Sequence, residues 1–214
     1  MILIGMFDSP FVRRVAVSMK VLGIPFEHRN WSVGKDFERI REYNPLGRVP
    51  TLVLDGGEAL IESAAILDYL DDISGPARAL VAHSGPERRA ALRLMAIATG
   101  AAEKGVAQVY EGVFRPAEKR HEPWVERCRA QMHGALAELD RACASVGATQ
   151  WLIGGRMTQA DITTTCVFTF LSAALALTPD SAPYPELRAH AARCEALPEF
   201  SSTRAVFSPP ASRA

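Results

Sequence analysis

The stretch Asn44 to Leu70, NPLGRVPTLVLDGGEALIESAAILDYL, constrains the fold more than any other part of the chain. Asn44-Pro45 and Leu46-Gly47 end any helix before them. After Val49-Pro50, the apolar run Thr51 to Leu54 predicts a short buried strand. Asp55-Gly56-Gly57 is a hairpin signal, so Ala59 to Ile61 should return antiparallel. Glu62-Ser63 then stands where a helix begins. Ser63 suits its N-cap, and Ile66, Tyr69, Leu70 and Ile73 fall on one face. The unit thus has a proline before one strand and a helix N-terminus after the other, and both offer backbone groups to something outside the chain. Val49-Pro50 has two readings. A trans proline at the start of a strand does no harm, and only about 5–6% of X-Pro bonds in folded proteins are cis. A cis bond would turn Val49 outward and leave its N–H and C=O for a peptide-like ligand. Local sequence leaves both open.

The residues before this unit read as strand, helix, strand. Ile2 to Met6 is an apolar run broken by Phe7-Asp8-Ser9-Pro10. From Phe11 the pattern is helical, with Val12, Val15, Ala16, Met19 and Leu22 on one face and Arg13, Arg14 and Lys20 off it. Ser9 suits the N-cap, Pro10 the first helical position, and Gly23 the end. Ile24 to Asn30 gives the second strand, and such a crossover is right-handed and parallel. Trp31 to Tyr43 is polar, with a short mobile helical turn. The order β-α-β then β-β-α is the thioredoxin-like arrangement.

A linker with turn signals at both ends runs from Ser74-Gly75-Pro76 to Ser84-Gly85-Pro86. Beyond it the chain is Ala-rich and helical. Glu87 to Val113 carries Leu92, Met95, Ala98, Ala102, Val106 and Val109 at helical spacing, and Pro116 separates it from a second helix bearing Val125 to Val146. Trp151 to Gly155 reads as an inward-packing loop. Thr158-x-x-Asp161 forms a capping box, so both residues read as structural. The uncharged run Ile162 to Pro179 reads as a buried core helix, since it lacks basic flanks and ends in proline. A helix from Tyr184 to Leu197 and a proline-ended tail follow. The expected division is residues 1–76, α/β and thioredoxin-like, and residues 86–214, all-α.

Composition narrows the partners. Lys plus Arg and Asp plus Glu are 24 each, so there is no bulk attraction to nucleic acid or an anionic membrane. Met1 to Met6 lacks a basic lead-in and a cleavage site, so it does not read as a signal peptide, and a cytoplasmic location is expected. Cys128, Cys143, Cys166 and Cys194 lie far apart, without a C-x-x-C pair, which argues against a metal or redox motif. Each sits in an apolar helical pattern as a small hydrophobe. The histidines match no ligand spacing, and no metal or nucleotide site is expected.

The motifs SPFVRRVAVSMKVLGIPFE, NPLGRVPTL with ESAAI, and the Thr158/Asp161 box after a Gly-rich loop together resemble the cytosolic glutathione transferases, nearly along the whole chain. The first segment resembles the serine-type enzymes, including tau-like and related bacterial forms. That resemblance implies a cis Val49-Pro50 bond, with Val49 pairing through its backbone to the cysteinyl part of glutathione. It also implies that Glu62 and Ser63 hold the γ-glutamyl end, and that Arg48 and Lys35 lie near the rest of the peptide. It implies a homodimer and glutathione as co-substrate. Ser9 becomes the candidate catalytic group, although a serine before proline is equally an ordinary helix cap. A helix N-terminus favours an anion, and lowering a thiol's pKa by ~2 units from ~8.5 requires ~2.7 kcal/mol of preference for the thiolate. The nucleophile would be the ligand's sulfur. Asp8, if it points inward, would oppose that thiolate. Phe11, Val106, Val109 and Tyr110 are candidates for the electrophile pocket, with Val113, Phe114, Arg115 and Phe207 near its mouth; the same residues could be plain core. The implied activity is conjugation to a small apolar electrophile. The alternatives are a non-catalytic binding or regulatory member of the same fold, and a glutathione-dependent reductase or peroxidase.

Overall fold

In the computed structural model, which describes residues 1–147 and 149–210, the apolar runs of the first third form one mixed sheet. Strands β1 (Ile2–Ile4), β2 (Glu27–Arg29), β3 (Thr51–Val53) and β4 (Ala59–Ile61) lie in the order β2-β1-β3-β4. β1 and β2 are parallel, joined across helix α1 (Pro10–Val21), while β3 runs antiparallel to both β1 and β4. Helix α2 (Phe37–Arg41) precedes β3, and α3 (Ser63–Ser74) follows β4. The second part is helical: α4 (Gly85–Phe114), α5 (Glu122–Val146), α6 (Gln159–Ala174), α7 (Pro185–Glu195) and the single turn α8 (Pro198–Ser201). This is the expected thioredoxin-like α/β unit followed by an all-α unit. Residues 211–214 of the expected helical part lie outside the described residues.

The strands are shorter than the apolar runs that predict them. β1 stops at Ile4 because Gly5 turns to φ +131°, and a Cβ there would lie 2.5 Å from a Val12 methyl and 2.8 Å from the Val49 Cβ. That glycine lets α1 and the Val49 segment close over the strand end. Gly105 plays the same part between α4 and α6, where a Cβ would meet Leu171 at 2.1 Å.

Helix α1 is the shared element. Its Val15 and Met19 pack in one cluster with Leu3, Leu52, Ile66 and Leu70 of the α/β part, and Ile162, Cys166, Cys194 and Phe200 join the same cluster from the helical part. Because both sides of α1 are covered, Arg13 and Arg14 are not on an open face as their polarity suggests. They are 4% and 3% exposed. Arg13 resolves its burial with a two-pronged pair to Glu195 at 2.6 and 2.7 Å, plus bonds to Thr203 and the Phe200 carbonyl. Burial would raise the Glu195 carboxyl, but hydrogen bonds from Arg13 and Thr169 and the charges of Arg13 and Arg204 together outweigh it, holding Glu195 below the ordinary carboxylate range.

Other local expectations are corrected. The N-cap of α3 is Glu62, whose side chain accepts from the Ser63 N–H, so Ser63 is the first helical residue and not the cap. The buried stripe of α3 is Ser63, Ile66, Leu67 and Leu70. Ile73 is 45% exposed, because the helix runs past its cover before the linker. The uncharged run stays helical only to Ala174, after which Ala176 adopts φ 50°. The expected helix from Tyr184 to Leu197 is observed as α7, ending at Glu195, and Pro198 opens the further turn α8. No helix among the described residues is long and apolar enough to cross a membrane.

Candidate active site

Register brings the site together. Ile4 pairs with Thr51 and Thr51 with Ile61, so the chain after β1, the chain before β3 and the chain after β4 all leave the sheet at one end. Ser9, Val49 and Glu62-Ser63 are therefore neighbours by topology. The Val49-Pro50 bond is cis. Among the described residues, neither the N–H nor the C=O of Val49 takes a hydrogen-bond partner.

Beside this end lies a cavity of about 500 Å³, in the size range of small-ligand sites. Ser9, Phe11, Arg48 and Val49 form one side; Val106, Val109, Tyr110 and Phe114 of α4 and Phe170 of α6 form the other. Phe207, Ser208 and Pro210 of the tail complete the rim. Phe207 stands edge-on to Phe170, with ring centroids 5.8 Å apart. The walls are apolar apart from Ser9, Asp8, Arg48, the Tyr110 hydroxyl and the serines at positions 32 and 208.

Ser9 is the N-cap of α1, with extended backbone and an Oγ that accepts from the Val12 N–H at 3.4 Å. The bond is long, and an accepting hydroxyl keeps its own proton to donate elsewhere. Cap and cavity wall are thus the same side chain. Asp8 also lines the cavity, but its Oδ2 accepts from the Ser208 N–H at 3.1 Å, tying the tail across the mouth. Burial raises its carboxyl above the ordinary value, with hydrogen bonds from Ser208 and nearby backbone opposing. Burial likewise raises the Tyr110 phenol, and the charge of Arg48 opposes it.

The other residues singled out from sequence divide. Pro50 is buried, and Lys35 is exposed on the segment before α2; neither lines the cavity. Glu62 and Ser63 stand at the start of α3, off the cavity wall. Glu62 Oε1 accepts from the Ser63 N–H at 3.0 Å, and Ser63 Oγ accepts from Arg14 Nη2 at 2.7 Å. Val113 and Arg115 are also off the wall, and Arg115 pairs with Glu111 at 2.8 Å. Sequence reasoning missed Trp31, Val33, Phe37 and Leu46, which line the cavity from the segment around α2. A signal was present: Trp31 among arginines is stacked by Arg39, 4.3 Å from the ring centroid. Arg14 was missed as well, because a helical pattern reads it as surface.

The structural box at α6 is complete. Asp161 is fully buried and accepts from the Thr158 N–H at 2.8 Å, the Thr158 hydroxyl at 2.8 Å and the Leu152 N–H at 2.9 Å. All four cysteines are free and buried. Burial pushes the Cys143 and Cys166 thiols up to about 12 and the Cys194 thiol up to about 11, so these three are not poised as thiolates. Among the described residues, no three His, Cys, Asp or Glu side chains are grouped to hold a metal ion.

The family descriptions for the glutathione S-transferase N-terminal domain and C-terminal domain match residues 3–78 and 122–193. The uncharacterised GST-like protein YibF of Escherichia coli is 31% identical over 138 residues, 64% of this chain and 67% of that protein. Glutathione S-transferase U4 of Arabidopsis thaliana is 38% identical over 72 residues, but the match spans only 33% of this chain and 32% of the plant protein. Among solved structures, a glutathione S-transferase of Methylobacterium radiotolerans in complex with glutathione sulfonate is 28% identical, with a TM-score of 0.90 over 100% of this chain and 98% of that one. A glutathione S-transferase of Methylobacillus flagellatus with glutathione bound is 26% identical, with a TM-score of 0.86 over 96% and 99% of the two chains. Two domain matches in the right order, on a fold that superposes along its whole length, lead to one conclusion: the chain belongs to the cytosolic glutathione S-transferase superfamily.

Proposed function

We propose that this protein is a serine-type glutathione transferase, in which Ser9 stabilises the thiolate of bound glutathione for attack on a small apolar electrophile. The observation that carries this reading is the double situation of Ser9. Its hydroxyl caps α1 through a long bond, keeps its proton free, and opens on a cavity that is otherwise mostly apolar. The helix end and the hydroxyl together favour the anion. The thiol proton leaves to solvent, the sulfur lone pair forms a C–S bond, and the electrophile loses its leaving group or takes up a proton.

In this reading residues 1–76 bind glutathione and residues 86–214 supply the electrophile side. The unpartnered N–H and C=O of Val49 suit the cysteinyl backbone, with Pro50 setting the direction of the chain. Glu62 and Ser63 receive the γ-glutamyl end, while Arg48 and Lys35 serve the glycyl end. Phe11, Val109 and Tyr110 form the electrophile wall, which favours a flat apolar reactant. The enzyme acts as a cytoplasmic homodimer. The burial of the cysteines and the serine at the start of α1 favour conjugation over thiol exchange.

The test is a pH–rate profile with glutathione and a generic aromatic electrophile, for the wild type, Ser9→Ala and Ser9→Cys. Ser9→Ala should lose activity and recover part of it at higher pH. Ser9→Cys should gain thiol-exchange activity, because a thiol at a helix N-terminus is itself acidified. Identical profiles and rates for wild type and Ser9→Ala would reduce Ser9 to a helix cap.

A further inference from the structure

Helix α3 begins over a buried positive charge. Arg14 is 3% exposed, and its side chain makes a single hydrogen bond among the described residues, to Ser63 Oγ at 2.7 Å. Its Nε is buried without a partner, and no described carboxylate lies within ion-pairing distance of it. Burial pulls its pKa down to about 10, with the charge of Glu62 opposing. An unpaired buried charge is costly. The adjacent Arg13 shows the usual solution on the same helix, a two-pronged carboxylate pair with Glu195. Arg14 instead directs its charge to the first residue of α3.

On the outer side of Ser63, Glu62 adopts φ 70°, a left-handed conformation that a non-glycine residue takes at a cost. This bends its carboxylate back, so that Oε1 accepts from the Ser63 N–H at 3.0 Å and lies 3.4 Å from Ser63 Oγ. Those two donors stand at the positive end of a 12-residue helix and suit a carboxylate. Glu62 supplies that carboxylate itself. Because Ser63 Oγ accepts from Arg14, its own proton is directed outward, toward the carboxylate.

We propose that Arg14 is a positioning residue for a carboxylate subsite at the start of α3. It fixes Ser63 Oγ as an outward donor and supplies, from beneath, the charge that an incoming α-carboxylate meets. The Glu62 side chain then leaves the two donors and turns to the ammonium group of the same ligand, so carboxylate replaces carboxylate. This inference rests on the reading that the γ-glutamyl end of glutathione docks at Glu62 and Ser63.

The experiment compares binding and turnover of glutathione with γ-aminobutyryl-cysteinylglycine, which lacks only the α-carboxylate of the γ-glutamyl residue. The variants are Arg14→Met, which keeps the bulk and removes the charge, and Arg14→Lys, which keeps the charge. Wild type should prefer glutathione by roughly 10- to 150-fold, the range for hydrogen bonds to a charged group. Arg14→Met should lose most of that preference by raising KM for glutathione, with kcat falling less than about threefold, and Arg14→Lys should recover part of it. A merely structural arginine would lower Tm and kcat and leave the preference intact, which would overturn the proposal. If Arg14→Met does not fold, Arg14→Gln, which also removes the charge, takes its place: a folded Arg14→Gln enzyme that keeps the wild-type preference overturns the proposal, as does a wild type with no preference. A wild type that binds no glutathione removes the proposed function itself. A wild type that binds and turns it over, beside an Arg14→Met enzyme that keeps the preference, removes only the role of Arg14.

Discussion

Helices α1 and α6 both begin on a hydroxyl-bearing N-cap, and they use it in opposite ways. At α6, Thr158 and Asp161 form a closed box: the carboxylate is fully buried and takes three donors within 2.9 Å. At α1, Ser9 makes one bond of 3.4 Å to the Val12 N–H and looks into the cavity. Both sites obey the same capping chemistry. What separates them is saturation. A cap whose donors and acceptors are all taken can only hold the fold, whereas a loosely engaged cap on a cavity wall has a proton left for a ligand. The α6 box should carry stability and no chemistry, and the α1 cap chemistry and little stability.

The largest effect expected from breaking this contrast is at the closed box. Asp161→Ala strands the buried Leu152 and Thr158 N–H groups, and should cost on the order of 3 kcal/mol or more. For a chain of this size that lowers Tm by about 6–12 °C, while the KM for glutathione of the folded fraction stays unchanged. Thermal unfolding with parallel kinetics checks it, and a raised KM with an unmoved Tm would reverse the assignment of the two caps.

Next comes Ser9→Ala. Deleting one hydrogen bond to a charged group should reduce kcat/KM roughly 10- to 150-fold. The stability cost should stay below about 1 kcal/mol, because a long, half-exposed cap bond contributes at the low end of the capping range. Steady-state kinetics and a melting curve on the same preparation give both numbers. Loss of stability without loss of rate would make α1 a second, weaker copy of α6.

A smaller effect is expected at Glu62, which lies at the other helix start near the site. Its contacts to the γ-glutamyl end change little as the sulfur reacts, so Glu62→Ala should raise KM for glutathione roughly 2- to 10-fold with kcat nearly constant. A fall in kcat at constant KM would place the ligand elsewhere.

The smallest is at Asp8. Its carboxyl is raised by burial above the ordinary 3.8, so the folded state holds that proton more tightly than the unfolded chain. Its contribution to stability is therefore fully present below 3.8 and is lost as pH rises through the raised value. Asp8→Asn removes the charge and still accepts from Ser208. A slightly higher Tm than wild type at neutral pH should converge with wild type in acid. A variant less stable at neutral pH would mean that the tail contact needs the charge.

Much of this arrangement is written in local pattern. The hairpin at Asp55 to Gly57 sets the register of β3 and β4, and that register alone brings Val49 beside Glu62. The α6 box is legible because capping is a contact between residues three apart. What local pattern does not carry is covering by distant chain. Arg13 and Arg14 read as surface because nothing nearby says that α6 to α8 will close over α1. Ser63 reads as a cap because the left-handed turn at Glu62 is imposed by the exit from the hairpin and not by residue preference. Trp31, Phe37 and Leu46 enter the cavity only because the segment around α2 folds back over the sheet end, which a polar stretch does not announce.

The central claim is that Ser9 holds a thiolate, and it is tested most directly by titrating the thiol of bound glutathione through its ultraviolet thiolate absorbance. In wild type the bound thiol should ionise about 1–2 pH units below an unperturbed thiol. In Ser9→Ala the midpoint should move back up by about one unit or more, the counterpart of the lost hydrogen bond, with glutathione still bound. Superimposable titrations of wild type and Ser9→Ala, with glutathione bound to both, would contradict the account.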